Sequence, residues 1–207
     1  MKNSRSAFTL TELLVVITII TIMTSFGMVS YQSLTKSRNL TLGGNLVVDL
    51  VNQARQNSIS RNVMTALVMV NNSPNQEWNN RLFVLLELRQ NDTEWKYASM
   101  WHMLPTGVLV EPFASENFTS SPSALLAIST PSLKFGGTTL ASEAYVYQVF
   151  LSDGRLLGDK IPKLHLVQGT MSNGAIQYTS AQQGSTPLNY YEITLNNCTG
   201  IPKIDRP

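Results

Sequence analysis

The 207-residue sequence contains a single cysteine, Cys198, so no disulfide can form within the chain. A lone thiol neither demands nor rules out an oxidising compartment. Histidine is almost as scarce, with only His102 and His165. Neither stands at metal-ligand spacing from the other or from Cys198, which removes the usual zinc patterns and any nucleophile–base pairing legible in sequence. Charge is thin too: Asp, Glu, Lys and Arg make up 14% of the residues, against roughly 25% in soluble domains. Part of that deficit is local, because Glu12 is the one charged residue between Ala7 and Lys36.

Other absences narrow the function further. The formal charge of +2 comes from 15 basic against 13 acidic residues. Lys2 and Arg5 supply the excess, and from residue 8 onward 13 basic residues face 13 acidic ones. A neutral chain offers no field for nucleic acid. There is no phosphate-loop pattern, internal repeat or low-complexity tract, and Gly136-Gly137 and Asp153-Gly154 read as hairpin turns. Trp78, Trp95 and Trp101 read as core or sheet-surface aromatics. Nothing demands catalysis, a cofactor or a metal.

What the sequence does have is a long apolar run. Residues 8–31 read FTLTELLVVITIITIMTSFGMVSY. Counted from Phe8 the run is roughly 22 residues long, close to the roughly 20 that cross a hydrocarbon core. Its Thr and Ser hydroxyls are expected to bond back to helix carbonyls. Lys2 and Arg5 ahead of it orient the N-terminus toward the cytoplasm. A secretory signal would need a small-residue cleavage site after the run, and SFGMVSYQSLTKSRN has no clean one. A plain anchor would have no use for Glu12, since a carboxylate in lipid is costly and marks a functional position.

The leader Lys-Asn-Ser-Arg-Ser-Ala followed by Phe-Thr-Leu-Thr-Glu-Leu-Leu-Val-Val resembles the leader of type IV pilins and type II secretion pseudopilins. The resemblance implies cleavage by a prepilin peptidase between Ala7 and Phe8, N-methylation of Phe8, and Glu12 as fifth residue of the mature chain. Ala7 stands where the family usually has Gly, and Thr11 where Ile is frequent. A physical role for Glu12 follows. The new amino terminus must enter an apolar helix stack, and an ammonium and a carboxylate there neutralise each other. Glu12 is therefore expected to set the register of assembly.

Beyond Tyr31 the pattern turns amphipathic to about Asn62. Leu40, Val47, Val51, Ala54 and Ser58 form one stripe at helical spacing with Gly43, Gly44 and Leu50 alongside, and Lys36, Asp49, Gln53, Arg55 and Gln56 lie mostly off it. This predicts a helix lying on its own domain's sheet, with Gly43-Gly44 a candidate kink. After 62, β-rich runs are bounded by turn formers. They are 63–70, 81–88, 95–103, 133–135, 145–151, 163–167, 175–178 and 190–195, and 112–131 reads as a long loop.

The expectation is thus an α+β chain of pilin fold, a long N-terminal helix on an antiparallel sheet. Its parts are a leader (1–7), a transmembrane helix (8–31), an amphipathic continuation (32–62) and a periplasmic β domain (63–207). The stretch Asn52–Asn62, the run from Trp78 through Arg81, Ser152-Asp153-Gly154-Arg155 and Thr199-Gly200 resemble H-type pseudopilins and FimT/FimU-like minor pilins. DNA-binding members of that group carry a basic terminus, whereas here Asp205 interrupts Lys203 and Arg206. The resemblance implies a minor pseudopilin of a type II secretion filament, or alternatively a minor type IV pilin. Its partners would be other pilins or pseudopilins, prepilin peptidase, the inner membrane and secreted cargo.

Overall fold

The computed structural model describes residues 9–206 apart from 72, 91, 93, 112–132, 141–144, 159–160, 173, 181 and 185, with backbone alone at 26–36 and 186. One helix, α1 (Leu10–Arg61), runs for 52 residues. It divides between two compact units, Met1–Arg38 and Asn39–Pro207.

In the second unit α1 buries Leu40, Val47, Leu50, Val51, Ala54 and Ser58, and leaves Asp49, Gln53 and Gln56 exposed. The buried residues are the predicted stripe, and each fully buried Leu or Val contributes about 1.5–3 kcal/mol over exposure. The helix is continuous through Gly43-Gly44 instead of kinking there. It stops where Asn62 turns left-handed (φ 52°) and Val63 N–H donates to Ser58 C=O at 3.2 Å. That six-residue return bond is a Schellman closure, and Asn tolerates the left-handed position.

Among the described residues fourteen strands follow. In the first sheet β1 (Met64–Val70) pairs antiparallel with β2 (Leu82–Leu88) and β8 (Tyr145–Phe150), while β3 (Lys96–Tyr97) and β4 (His102–Met103) edge β2. In the second, β9 (Lys163–Ser172) pairs with β5 (Val108–Val110), β10 (Ala175–Tyr178) and β13 (Tyr190–Leu195), and β14 (Pro202–Asp205) edges β13. Two hairpins stand apart, β6 (Lys134–Phe135) with β7 (Thr138–Thr139) and β11 (Gln182–Gln183) with β12 (Thr186–Pro187). The fold is α+β, a helix packed on antiparallel sheets.

Several expectations are refined. The single strand expected at 95–103 is broken into β3 and β4, because Ser99 turns its hydroxyl onto the Leu85 N–H at 3.0 Å. β5, β7, β11, β12 and β14 are additional to the predicted strands, and β9 runs five residues further than predicted, to Ser172. The loop expected at 112–131 lies outside the described residues. Gly136 and Gly137 turn the β6–β7 hairpin with φ of 56° and 82°. Asp153-Gly154 turns the chain after β8, where Leu156 bridges back to Phe150.

Both faces of the first sheet are apolar. Leu67, Met69, Phe83, Leu85, Val146 and Phe150 join α1 and the second sheet's Leu164, Leu166, Tyr191 and Ile193 in one core. Ala66, Val68, Val84, Leu86, Tyr147 and Val149 face the other way, against Trp95, Leu133 and Leu140. Trp78 and Trp101 flank this second core, with ring centres 5.0 and 5.5 Å from Phe135.

Candidate functional site

The first unit carries the residues that the sequence singles out. Ala7 and Phe8 lie outside the described residues; Glu12 lies in the first turn of α1. Thr9 precedes the helix, and Leu13 N–H donates to its carbonyl at 3.2 Å. The Glu12 carboxylate accepts from Thr9 N–H at 2.9 Å and from the Thr9 hydroxyl at 2.7 Å. In return Glu12 N–H donates to Thr9 Oγ1 at 3.3 Å. Two helix-start donors are thus satisfied reciprocally, which is a capping box. The pattern Thr-x-x-Glu at 9–12 is its sequence signature, and it is the signal that sequence reading passed over.

The exposed side chains that follow this polar knot are mostly aliphatic. Leu10, Leu13, Leu14, Val15, Ile17 and Ile20 are each more than half exposed. The hydroxyls between them turn inward, as expected. Thr18 bonds to the Val15 carbonyl at 2.8 Å, Thr21 to Ile17 at 2.7 Å, Thr24 to Ile20 at 2.8 Å and Ser25 to Thr21 at 2.8 Å. Each hydroxyl is therefore spent on its own helix, and the outer surface presents hydrocarbon. Among the described residues no helix is long and apolar enough to cross a membrane. The expected span, 8–31, extends over 26–31, whose side chains are not described.

Residues 2–28 match the family model described as the prokaryotic N-terminal methylation motif. The N-terminus of this chain carries that motif. This motif contains Ala7, Phe8 and Glu12. Among solved structures, the chain is similar to the minor pseudopilin EpsH from the type 2 secretion system of Vibrio cholerae. That similarity has 10% identity and a TM-score of 0.41, covering 82% of this chain and 96% of that one. No curated protein matches.

The remaining candidates are dispersed by the fold. His102 lies in the edge strand β4, and Cys198 in an exposed turn. His165 is buried in β9, where Nδ1 lies 2.8 Å from Glu111 Oε2. The other Glu111 oxygen accepts from the Tyr178 hydroxyl, and the Tyr190 ring lies 4.5 Å from the imidazole. Burial first, then the Glu111 carboxylate, push the Tyr178 hydroxyl up to about 12. Among the described residues no three His, Cys, Asp or Glu side chains gather as metal ligands.

The C-terminal matches in sequence acquire a structural role. Arg55 Nε donates to the Thr199 carbonyl at 2.6 Å. A β-carbon on Gly154 would sit 2.7 Å from Ile59 Cδ1, and one on Gly200 would collide with the Gly154 carbonyl. Both glycines have positive φ, 84° and 67°. They let two loops close against α1. Ahead of β2 the left-handed residue is Asn80 (φ 60°), while Arg81 sends Nη2 to the Leu104 carbonyl at 3.0 Å.

Proposed function

We propose that this chain is a minor pseudopilin, a structural subunit of the filament of a type II secretion system. The observation that carries the reading is the methylation motif over residues 2–28 with Glu12 inside an otherwise apolar run. On this reading prepilin peptidase cuts between Ala7 and Phe8 and Phe8 is N-methylated. Residues 8–31 hold the subunit in the inner membrane until assembly, with the β domain in the periplasm. The exposed aliphatic surface from Leu10 to Met23 then packs against other pilins or pseudopilins.

Glu12 has a defined task in that event. Its carboxylate is held by Thr9 in the isolated chain. In the filament it takes the Phe8 ammonium as partner, since neither charge is tolerable alone in hydrocarbon. We prefer a secretion filament to a DNA-uptake pilus because from residue 8 onward 13 basic residues face 13 acidic ones, which leaves no net positive charge to hold DNA.

Mass spectrometry of the mature N-terminus tests the reading. A chain beginning at methylated Phe8 is expected. One that still begins at Met1, or that is trimmed beyond Tyr31, overturns it.

A further inference from the structure

The end of α1 bears a second polar constellation, separate from the N-terminal motif. Because Val63 N–H closes the helix on the Ser58 carbonyl, the Arg61 side chain is not spent on capping. It reaches β2 instead, where Nη1 donates to Glu87 Oε2 at 2.8 Å. Arg89 donates to the other oxygen, Oε1, at 3.4 Å. Two guanidiniums thus share one buried carboxylate. Neighbouring Asp92 is matched separately by Lys96 at 3.0 Å. The set Arg61, Arg89, Lys96, Glu87 and Asp92 retains one positive charge. The two arginine side chains are 52% and 64% exposed, so their remaining N–H donors face outward.

A groove of about 390 Å³ opens at these arginines, lined by Arg61, Asn62, Val63, Arg89, Gln90 and Asp92. It adjoins a second of about 220 Å³ that shares Asn62, Val63 and Gln90 and extends past Met64 and Leu88 to Ser152. The chemistry is graded along it. Guanidiniums stand at one end with Asp92 beside them, two carboxamides are shared between the grooves, and Met64, Leu88 and Ser152 line the other end. An extended peptide has the complementary order when an acidic residue neighbours an apolar one. A carboxylate fits the planar guanidinium donors, the peptide amides meet Asn62 and Gln90, and the apolar side chain meets Met64.

We propose that the groove at the end of α1 docks an acidic segment of a partner protein, seating a Glu or Asp carboxylate between Arg61 and Arg89. The site belongs to the β domain and does not depend on how the N-terminus is processed.

Fluorescence anisotropy with the full-length chain in neutral detergent micelles tests it. The probe is a labelled peptide, acetyl-Ala-Glu-Leu-Glu-Leu-Ala-amide, and its control carries Gln in place of both Glu. The acidic peptide is expected to bind at least about tenfold more tightly than the control, and to weaken as salt is raised. Arg89→Gln should lose about the same factor while keeping the unfolding midpoint, because Arg61 still pairs the buried carboxylate at 2.8 Å and Arg89, at 3.4 Å, is mostly exposed. Glu87→Gln removes the internal competitor for both guanidiniums and should tighten binding severalfold. Equal binding of the two peptides, binding of neither, or full affinity in Arg89→Gln overturns the proposal. Displacement by inorganic phosphate at the peptide's own concentration also overturns it, since that marks a simple anion site.

Discussion

Gly44 in α1 lies so close beneath the ring of Tyr191 in β13 that a β-carbon there would come within 2.6 Å of three ring carbons. The far end of the same ring is held by its hydroxyl, which donates to Asn45 Oδ1 at 3.1 Å. The helix therefore meets the second sheet across a residue with no side chain, and the next residue fixes the aromatic in place. Gly43 is less confined, with Val108 Cγ1 at 3.0 Å from its hypothetical β-carbon.

This difference separates two substitutions that sequence alone treats alike. Alanine adds about 1 kcal/mol of helix propensity at either position, but overpacking removes about 1–3 kcal/mol. Gly44→Ala should therefore lose up to about 2 kcal/mol, whereas Gly43→Ala should stay within about 1 kcal/mol of the parent. Urea denaturation of both variants decides the matter.

The Glu111 carboxylate, one residue past β5, joins two strands, accepting from Tyr178 in β10 and meeting His165 in β9, while Glu111 N–H donates to the His165 carbonyl at 2.7 Å. Glu111→Ala removes a carboxylate that a buried imidazole and a phenol share and should cost about 1.5–3 kcal/mol. Tyr178→Phe removes one bond to a charged acceptor and should cost about 1.5 kcal/mol. Because both act through one carboxylate, the double variant should lose less than the two single losses added together. A double-mutant cycle by chemical denaturation checks all three values.

Alkaline pH offers an independent probe. Burial, and to a lesser degree the neighbouring Tyr147, push the Tyr145 hydroxyl up to about 12, the same level as Tyr178. A phenol ordinarily ionises near 10. The folded state thus favours the neutral form. Its stabilisation is complete below about pH 10 and is lost as pH rises through about 12. Phenolate absorbance should show at least two late-titrating tyrosines, and unfolding midpoints should fall between those two pH values. Titration of every tyrosine near 10 in the folded protein contradicts this.

At the N-terminus, Thr9→Val removes the cap hydroxyl that bonds both the carboxylate and the amide of Glu12. Loss of such a cap costs about 1 kcal/mol. In detergent micelles the Glu12 amide should exchange with solvent about five times faster in the variant, while Thr9→Ser should behave as the parent. Equal exchange in all three proteins removes the capping box from the account.

Much of this architecture could be read in advance. The stripe of Leu40, Val47, Val51, Ala54 and Ser58 is the buried one, since helical periodicity reports directly on which face leaves water. Six of the eight predicted strand positions hold a strand of similar extent. The two-sided burial of β1 and β2 emerged only from the fold, although MTALVMV and LFVLLEL lack the alternation of a half-exposed strand. The very short strands β7, β11 and β12 were not legible either, because two residues carry no period.

By itself the sequence carried the methylation motif, the apolar run with its single acid and the amphipathic stripe. These are local properties, set by the order of side chains and the pitch of a helix. Only the tertiary structure decided that Gly44 is a contact and not a kink, and that Glu111 meets His165 across 54 positions. It likewise decided that Arg61 and Arg89 converge on Glu87. Those facts depend on which surfaces the folded chain brings within a few ångströms, and neither periodicity nor composition carries that distance.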